Sequence, residues 1–136
     1  MDVVNKLYPS EQQMAMLQSD NDERPLQLVN LFKFKDKAEY SDGRETSLSG
    51  KEAYDLYGRP MLDVLAKFGA EVVFFSEMTG LIIGEVEEMW DAMAIVRYPS
   101  RQVLLDMTSS PEFKELSVHR EAGLAGQLNI ETRIPE

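Results

Sequence analysis

One histidine stands out among the side chains of this 136-residue sequence that could do chemistry. Because His119 is the only one, a Ser-His-Asp triad would have to use it, and no multi-histidine metal site can form within one chain. Glu115 lies four residues earlier on the same predicted helix, where its carboxylate could orient the imidazole. Three interpretations stay open: a surface His–Glu pair, a general base, or a haem or metal ligand shared across a dimer.

Two arginines are candidates for binding an anion. Arg120 follows Phe113 and Leu116 at i+7 and i+4, so its helix turns a cation toward the apolar side. A buried cation needs a carboxylate or carbonyls around it, which favours an ion pair with an acidic partner. The functional alternative is a clamp on a carboxylate or enolate. Arg97, at a predicted strand end, allows the same two interpretations, and both arginines could serve one anionic ligand.

Aromatic and amide side chains could complete such a site. Tyr54 and Tyr57 are three residues apart on a predicted helix, where they form either core or the wall of a ligand pocket. Asn30 lies between Leu28 and Phe32 on a predicted strand, so its amide must bind either the backbone or a ligand. For proton transfer, the candidates are His119 and Tyr57.

Cofactor and metal motifs are missing from the sequence. There is no G-x-G-x-x-G, Walker A, H-E-x-x-H, G-x-S-x-G or C-x-x-C pattern, and no cysteine. We therefore expect no cofactor and no metal site. The formal charge of −10 offers little to neutralise phosphates, so nucleic acid and anionic membranes are not expected partners.

The location expected for this protein is the cytoplasm. Residues 1–10 contain Asp2 and lack the basic region and apolar run of a secretory signal. The longest apolar stretches, at residues 72–75 and 81–83, are far shorter than the roughly 20 residues that span a bilayer.

Capping and periodicity predict the elements that must position these side chains. A capping box at Ser10 predicts a short helix, and alternation predicts a strand over Leu26–Phe34. Residues 35–48 are polar and predict a mobile connector. A second capping box at Ser49 starts a helix that Gly69 ends, and Pro60 predicts a bend or break near residues 57–61.

The second half of the sequence predicts a hairpin, two more helices and a last strand. The hairpin strands are expected at residues 70–85, with a bulge at Thr79-Gly80, and at residues 90–98. Ser100 and Ser110 are the expected helix N-caps, and Gly123 ends the second helix. Residues 127–134 alternate as in a half-exposed strand.

The resulting β-α-β-β-α-β order is the ferredoxin-like arrangement, a four-stranded antiparallel sheet with helices on one face. We expect one α+β domain over residues 25–136, preceded by a helical appendage over residues 1–24. The first strand is apolar on both faces, while helices would cover only one. The uncovered face predicts a homodimer.

Several short motifs occur in a particular order: V-N-L-F-K-F at residues 29–34, S-G-K-E-A-Y at 49–54, W-D-A-M-A-I-V-R-Y-P-S-R at 90–101, S-S-P-E-F at 109–113 and H-R-E-A-G-L at 119–124. Together they resemble an uncharacterised bacterial family of the dimeric α+β barrel superfamily, over about residues 25 to 134. The resemblance implies a dimer whose sheets pack face to face into a barrel, with a pocket in each protomer.

Two functions follow from these features. The first is a small-molecule-binding dimer, in its catalytic form a cofactor-independent enzyme acting on an apolar carbonyl or phenolic metabolite. Its pocket would be lined by Asn30, Tyr54, Tyr57, Arg97 and Arg120. The second is a non-catalytic structural or regulatory dimer with a residual pocket. An arginine paired only with a protein carboxylate would favour the second function.

Overall fold

A computed structural model describes residues 3–19 and 21–135 of the chain. The helices and strands of these residues are, in chain order, α1 (Glu11–Ser19), β1 (Leu26–Phe34), α2 (Gly50–Lys67), β2 (Glu71–Glu77), β3 (Ala92–Tyr98), α3 (Arg101–Thr108), α4 (Pro111–Gly123) and β4 (Leu124–Thr132).

The four strands form one antiparallel sheet in the order β2-β3-β1-β4. β1 lies in the centre, with Leu28 opposite Val96 of β3 and opposite Glu131 of β4. The two main helices, α2 and α4, pack together. The chain is therefore an α+β protein with a ferredoxin-like fold, which confirms the predicted fold class.

The predicted helix starts are confirmed at all four N-caps. The Ser10 hydroxyl accepts from the Gln13 N–H at 3.1 Å, and the Ser49 hydroxyl accepts from the Glu52 N–H at 3.0 Å. Ser100 and Ser110 cap α3 and α4 in the same way. A side-chain oxygen at the N-cap satisfies one of the orphan N–H groups of the first turn, which explains why these helices begin where they do.

α2 does not break at Pro60, so of the predicted bend or break the break is wrong, and the bend stays a prediction. The helix runs without interruption from Gly50 to Lys67, and Gly69, whose φ is 74°, directly follows its C-cap Phe68. Pro60 removes the donor for the Leu56 carbonyl, but both residues are exposed. Water can therefore replace the lost hydrogen bond, and the helix continues.

Two strand boundaries differ from those predicted. β2 ends at Glu77 instead of continuing to residue 85, and the irregularity lies between Val72 and Phe74 rather than at Thr79-Gly80. Just beyond this end the Met78 N–H donates to the Asp91 carbonyl at 2.9 Å, and the Asp91 N–H donates to the Phe32 carbonyl at 2.8 Å. Asp91 is therefore bonded to both neighbouring strands immediately before β3 begins. β4 begins at Leu124, three residues before the predicted start, since Leu124 caps α4 in an extended conformation.

The helix-facing side of the sheet carries the core. Leu26, Leu28 and Tyr98 pack against Met61 and other side chains of α2, α3 and α4. The polar residues of β4 also lie on this side, because opposite residues of an antiparallel pair share a face and Gln127 is opposite Phe32. Of these polar residues Gln127 is half-buried, whereas Asn129 and Glu131 are exposed.

The other side of the sheet is covered by no described helix and is called the open face here. Its apolar side chains alternate with the core residues along each strand: Val29, Leu31, Phe74, Met93, Ile95, Leu128 and Ile130. Phe74 is 49% exposed and Ile130 is 44% exposed. Large apolar surfaces of this kind are typical of interaction sites.

The connector between β1 and α2 is packed rather than loose. Ala38 and Tyr40 are buried and form a cluster with Ala53 of α2 and Ala122 of α4. A turn lies at Asp42-Gly43, with the Gly43 N–H donating to the Tyr40 carbonyl. The prediction of a mobile connector missed the burial of Ala38 and Tyr40, because single alanine and tyrosine residues do not stand out in a polar stretch.

Within residues 3–19 and 21–135, no helix combines the length and the apolar character needed to cross a membrane.

Candidate functional site

The most unusual polar side chain in the fold is Arg120, in the last turn of α4. Its guanidinium is buried, with 9% of the residue exposed. Nη2 donates to the Leu7 carbonyl at 2.6 Å and to Gln127 Oε1 at 2.6 Å. The ring of Tyr8 lies 5.5 Å from the guanidinium carbon. Every one of these partners is electrically neutral.

A chain of hydrogen bonds continues from Arg120 into the sheet. Gln127 Nε2 donates to Asn30 Oδ1 at 2.9 Å. Asn30 Nδ2 in turn donates to the Leu28 and Ala94 carbonyls at 3.2 and 3.4 Å. Both polar atoms of Asn30 are therefore engaged by protein groups. The sequence left open whether the Asn30 amide binds the backbone or a ligand. In the structure it binds backbone carbonyls, and its Oδ1 orients Gln127.

Arg120 has no carboxylate partner among the described residues, although the chain contains 24 acidic residues. Burial lowers the pKa of its guanidinium, and the nearby Tyr57 and Tyr54 hydroxyls partly oppose that effect. A buried charge that meets only neutral oxygens recovers little of the cost of leaving water. The site is therefore electrostatically incomplete.

Tyr54 and Tyr57 of α2 form the aromatic side of this site. The Tyr54 ring lies 5.0 Å from the Phe32 ring and 5.5 Å from the Tyr57 ring, measured between centroids. Burial raises the pKa of both hydroxyls. Neither hydroxyl makes a hydrogen bond to a described residue. Two neutral phenols thus stand near the Arg120 cation.

Close backbone contact between α2 and α4 brings these residues together. A Cβ on Gly123 would overlap the Gly50 carbonyl oxygen and lie 2.9 Å from the Tyr54 backbone nitrogen. The Lys35 N–H also donates to the Gly123 carbonyl, at 2.8 Å. Glycine is required at this crossing because any side chain would separate the helices that carry Arg120 and the two tyrosines.

His119 belongs to a different cluster. Its Nδ1 is 2.7 Å from the Tyr40 hydroxyl, and the two rings meet edge to face. The described residues show no hydrogen bond between His119 and Glu115, and the imidazole is bonded to the connector instead. The sequence could not show this contact, because Tyr40 lies 79 residues away in the connector.

Arg97 lies on the opposite side of the sheet from Arg120. It is exposed, and its register partners Gln27 and Glu71 place it on the open face. Since the sheet separates the two arginines, one ligand cannot contact both within a chain. The expectation that they share a ligand is wrong for the single chain.

A third arginine, which the sequence analysis missed, has the carboxylate that Arg120 lacks. Arg101 is 7% exposed and binds Glu131 with two hydrogen bonds, of 3.1 and 2.5 Å. Its Nη1 donates to the Met16 carbonyl of α1 at 3.0 Å. Arg101 directly follows the N-cap Ser100, where a cation opposes the helix dipole. That unfavourable position was the available sequence signal for a tertiary partner.

Open cavities formed by the described residues include two that lie elsewhere on the surface. One, of about 420 Å³, is lined by residues that include Lys33, Phe34, Lys51 and Asp91. The other, of about 740 Å³, is lined by the connector from Lys37 to Ser47. Neither is lined by Arg120, Tyr54 or Tyr57. The described residues contain no group of three or more acidic or histidine side chains arranged to hold a metal ion.

Residues 44–131 match the family described as a domain of unknown function (DUF1330). The chain belongs to the DUF1330 family. No curated protein sequence matches it significantly. The family match includes Tyr54, Tyr57, Arg120 and Gln127 of this DUF1330 chain, whereas Leu7 and Asn30 lie before it.

Solved structures similar to this DUF1330 protein have the same fold. The crystal structure of methylated RPA0582 protein is 30% identical, with a TM-score of 0.87, and covers 98% of each chain. A second structure of RPA0582, a protein of unknown function from Rhodopseudomonas palustris, is 27% identical, with a TM-score of 0.86, and covers 98% of this chain and 99% of that one.

A more distant similarity is to a dimeric protein of unknown function with a ferredoxin-like fold from Bacteroides fragilis. It is 10% identical, with a TM-score of 0.50, and covers 81% of this chain and 96% of that chain. At this identity the likeness concerns the fold alone.

Proposed function

We propose that this DUF1330 protein is a homodimer that binds a small molecule with an anionic oxygen and an apolar body at Arg120. The observation that carries the proposal is the buried Arg120 guanidinium, whose described partners are all neutral. A carboxylate or enolate of the ligand would supply the missing negative charge.

The surroundings of Arg120 favour a ligand with a carbonyl or phenolic group. The Tyr54 and Tyr57 hydroxyls are protonated and unbonded, so each can donate to an oxygen or accept from a hydroxyl. The rings around them, including Phe32, offer apolar surface to a planar body. Asn30 acts through Gln127 and does not touch the ligand in this proposal.

The test compares benzoate binding to the wild type and to Arg120→Met by calorimetry. We expect at least a tenfold loss of affinity in the variant, because a charge-assisted hydrogen bond contributes about 1.5–3 kcal/mol. Arg59→Met, which removes an exposed arginine of α2, is the control and should bind as the wild type does. Equal binding to Arg120→Met would contradict the proposal and leave the non-catalytic structural or regulatory dimer as the better account.

The dimer is proposed to form through the open face. Its seven apolar side chains come from all four strands, and no helix of the described residues covers them. The same arrangement would place Arg97, which lies on this face, at or near the subunit interface. Light scattering at micromolar concentration should give the mass of two chains.

A charge at the centre of the open face tests this interface. Ile95→Lys should convert the dimer to a monomer, because an unpaired ammonium would be buried against the partner's sheet. Val118→Lys, on α4 and 39% exposed, is the matched control and should leave the dimer intact. A wild-type monomer, or a dimer unaffected by Ile95→Lys, would exclude this interface.

A further inference from the structure

The segment of residues 3–8 lies across the Arg120 site. The Leu7 carbonyl accepts from Arg120 at 2.6 Å, and the Tyr8 ring faces the same guanidinium. Lys6 pairs with Gln127 through an isolated β-bridge. The backbone before α1 therefore covers both Arg120 and the glutamine that binds it.

Few side chains hold this segment in place. Val4 is 75% exposed and Tyr8 is 55% exposed, and Asn5 and Lys6 are also exposed. Leu7 is half-buried against the cluster of Phe32, Ala92, Ala94 and Leu124. Since local opening is easiest where few apolar contacts must break, this segment can separate from the domain without unfolding it.

We propose that residues 3–8 form a displaceable strap, in which the Leu7 carbonyl occupies the position that a ligand oxygen takes on Arg120. This inference rests on the proposed anion binding at Arg120. A carbonyl oxygen has the geometry of an acceptor but not the charge of a carboxylate. An anionic ligand would therefore replace it, and binding would require the strap to open.

Gly126 offers a way to open the strap without altering Arg120. A Cβ built on Gly126 would lie 2.5 Å from Asn5 Cγ and 2.9 Å from Asn5 Cβ, so Gly126→Ala must push the strap outward. Gly80→Ala is the matched control, because nothing lies within 4 Å of its added Cβ. Leu7→Ser, which removes the apolar anchor, is a second variant if Gly126→Ala fails to fold.

Trypsin reports the strap directly, since its cleavage site after Lys6 lies inside it. The fragment that begins at Leu7 is followed by mass spectrometry on the full chain. We expect benzoate to speed this cleavage several-fold in the wild type and not in Arg120→Met. Gly126→Ala should show fast cleavage without benzoate and should bind benzoate about tenfold more tightly, because less of its binding energy goes into opening.

The outcomes separate the strap from the site that it covers. Benzoate could bind through Arg120 without speeding cleavage and without binding Gly126→Ala more tightly than the wild type. That result would overturn the strap proposal and leave the proposed function standing. If benzoate binds neither the wild type nor Gly126→Ala, both proposals are overturned, even where the variant is cleaved faster.

Discussion

Arg101 and Arg120 are both buried helical arginines that bind a side chain of β4, yet their surroundings differ. Arg101 binds the Glu131 carboxylate through two nitrogens, and Glu131 also binds Arg133. Arg120 binds a backbone carbonyl and a side-chain amide. The first cation is neutralised within the chain and holds α3, β4 and α1 together. The second meets only neutral groups among the described residues, and this difference is the basis of the proposed binding role.

The stability of the Arg120 region depends most on the close contact between α2 and α4. Gly123→Ala should lower stability by about 3 kcal/mol or more, because the new Cβ collides with backbone atoms that cannot rotate away. Thermal melts should show this loss, whereas Gly58→Ala, whose Cβ meets Tyr54 at an ordinary 3.6 Å, should stabilise slightly. Equal midpoints for the two variants would show that close helix packing does not hold the Arg120 region together.

Removing the paired arginine should have the next largest effect. Arg101→Met strands Glu131, but that side chain is 35% exposed and keeps Arg133, so we expect a loss of about 1–3 kcal/mol. A fall in the thermal midpoint of roughly 4–12 °C corresponds to that loss for a chain of this size. Arg59→Met, which removes an exposed arginine, should change the midpoint by little. If both variants lowered the midpoint equally, the buried ion pair of Arg101 would add no more stability than an exposed arginine.

Acid should weaken the Arg101 region selectively. Hydrogen bonds from Arg101 hold the pKa of Glu131 below its ordinary value of 4.5. A lowered folded-state pKa adds stability that is present above pH 4.5 and is lost as the pH falls through the folded-state value. Glu131→Gln should therefore be less stable than the wild type at neutral pH, and nearly equal in strong acid. Urea midpoints at several pH values measure this difference, and a pH-independent gap would contradict it.

The smallest effect is expected at the unpaired arginine. Arg120→Met keeps the apolar stem and relieves the buried charge, so the midpoint should stay within about 3 °C of the wild type or rise. The melt must be made at fixed protein concentration, because the midpoint of a dimer depends on it. A fall as large as that of Arg101→Met would make the two arginines alike and show Arg120 to be structural.

Local patterns in the sequence predicted the elements well where the determining residues are neighbours. β1 has the predicted bounds Leu26–Phe34, and Ser49 and Glu52 form the predicted capping box. Errors arose where a distant group decides the outcome. The end of β2 depends on where β3 begins, and the continuity of α2 at Pro60 depends on solvent exposure.

Several residues of the candidate site were predicted from the sequence, but the hydrogen bonds that join them were not. Arg120, Tyr54 and Tyr57 could be chosen because their side chains share the apolar faces of their helices. Gln127 escaped notice because alternation alone does not say which face of β4 is inward. Its opposition to Phe32 across the sheet decides that, and with it the bond to Arg120.

Sequence alone determined the ferredoxin-like order of elements, since caps, periodicity and turns act over a few residues. Tertiary structure decided which arginine meets a carboxylate. Arg101 reaches Glu131 across 30 residues, and Arg120 reaches Leu7 across 113. The energy of a buried charge depends on every group within a few ångströms in space, and only the folded backbone determines which groups those are.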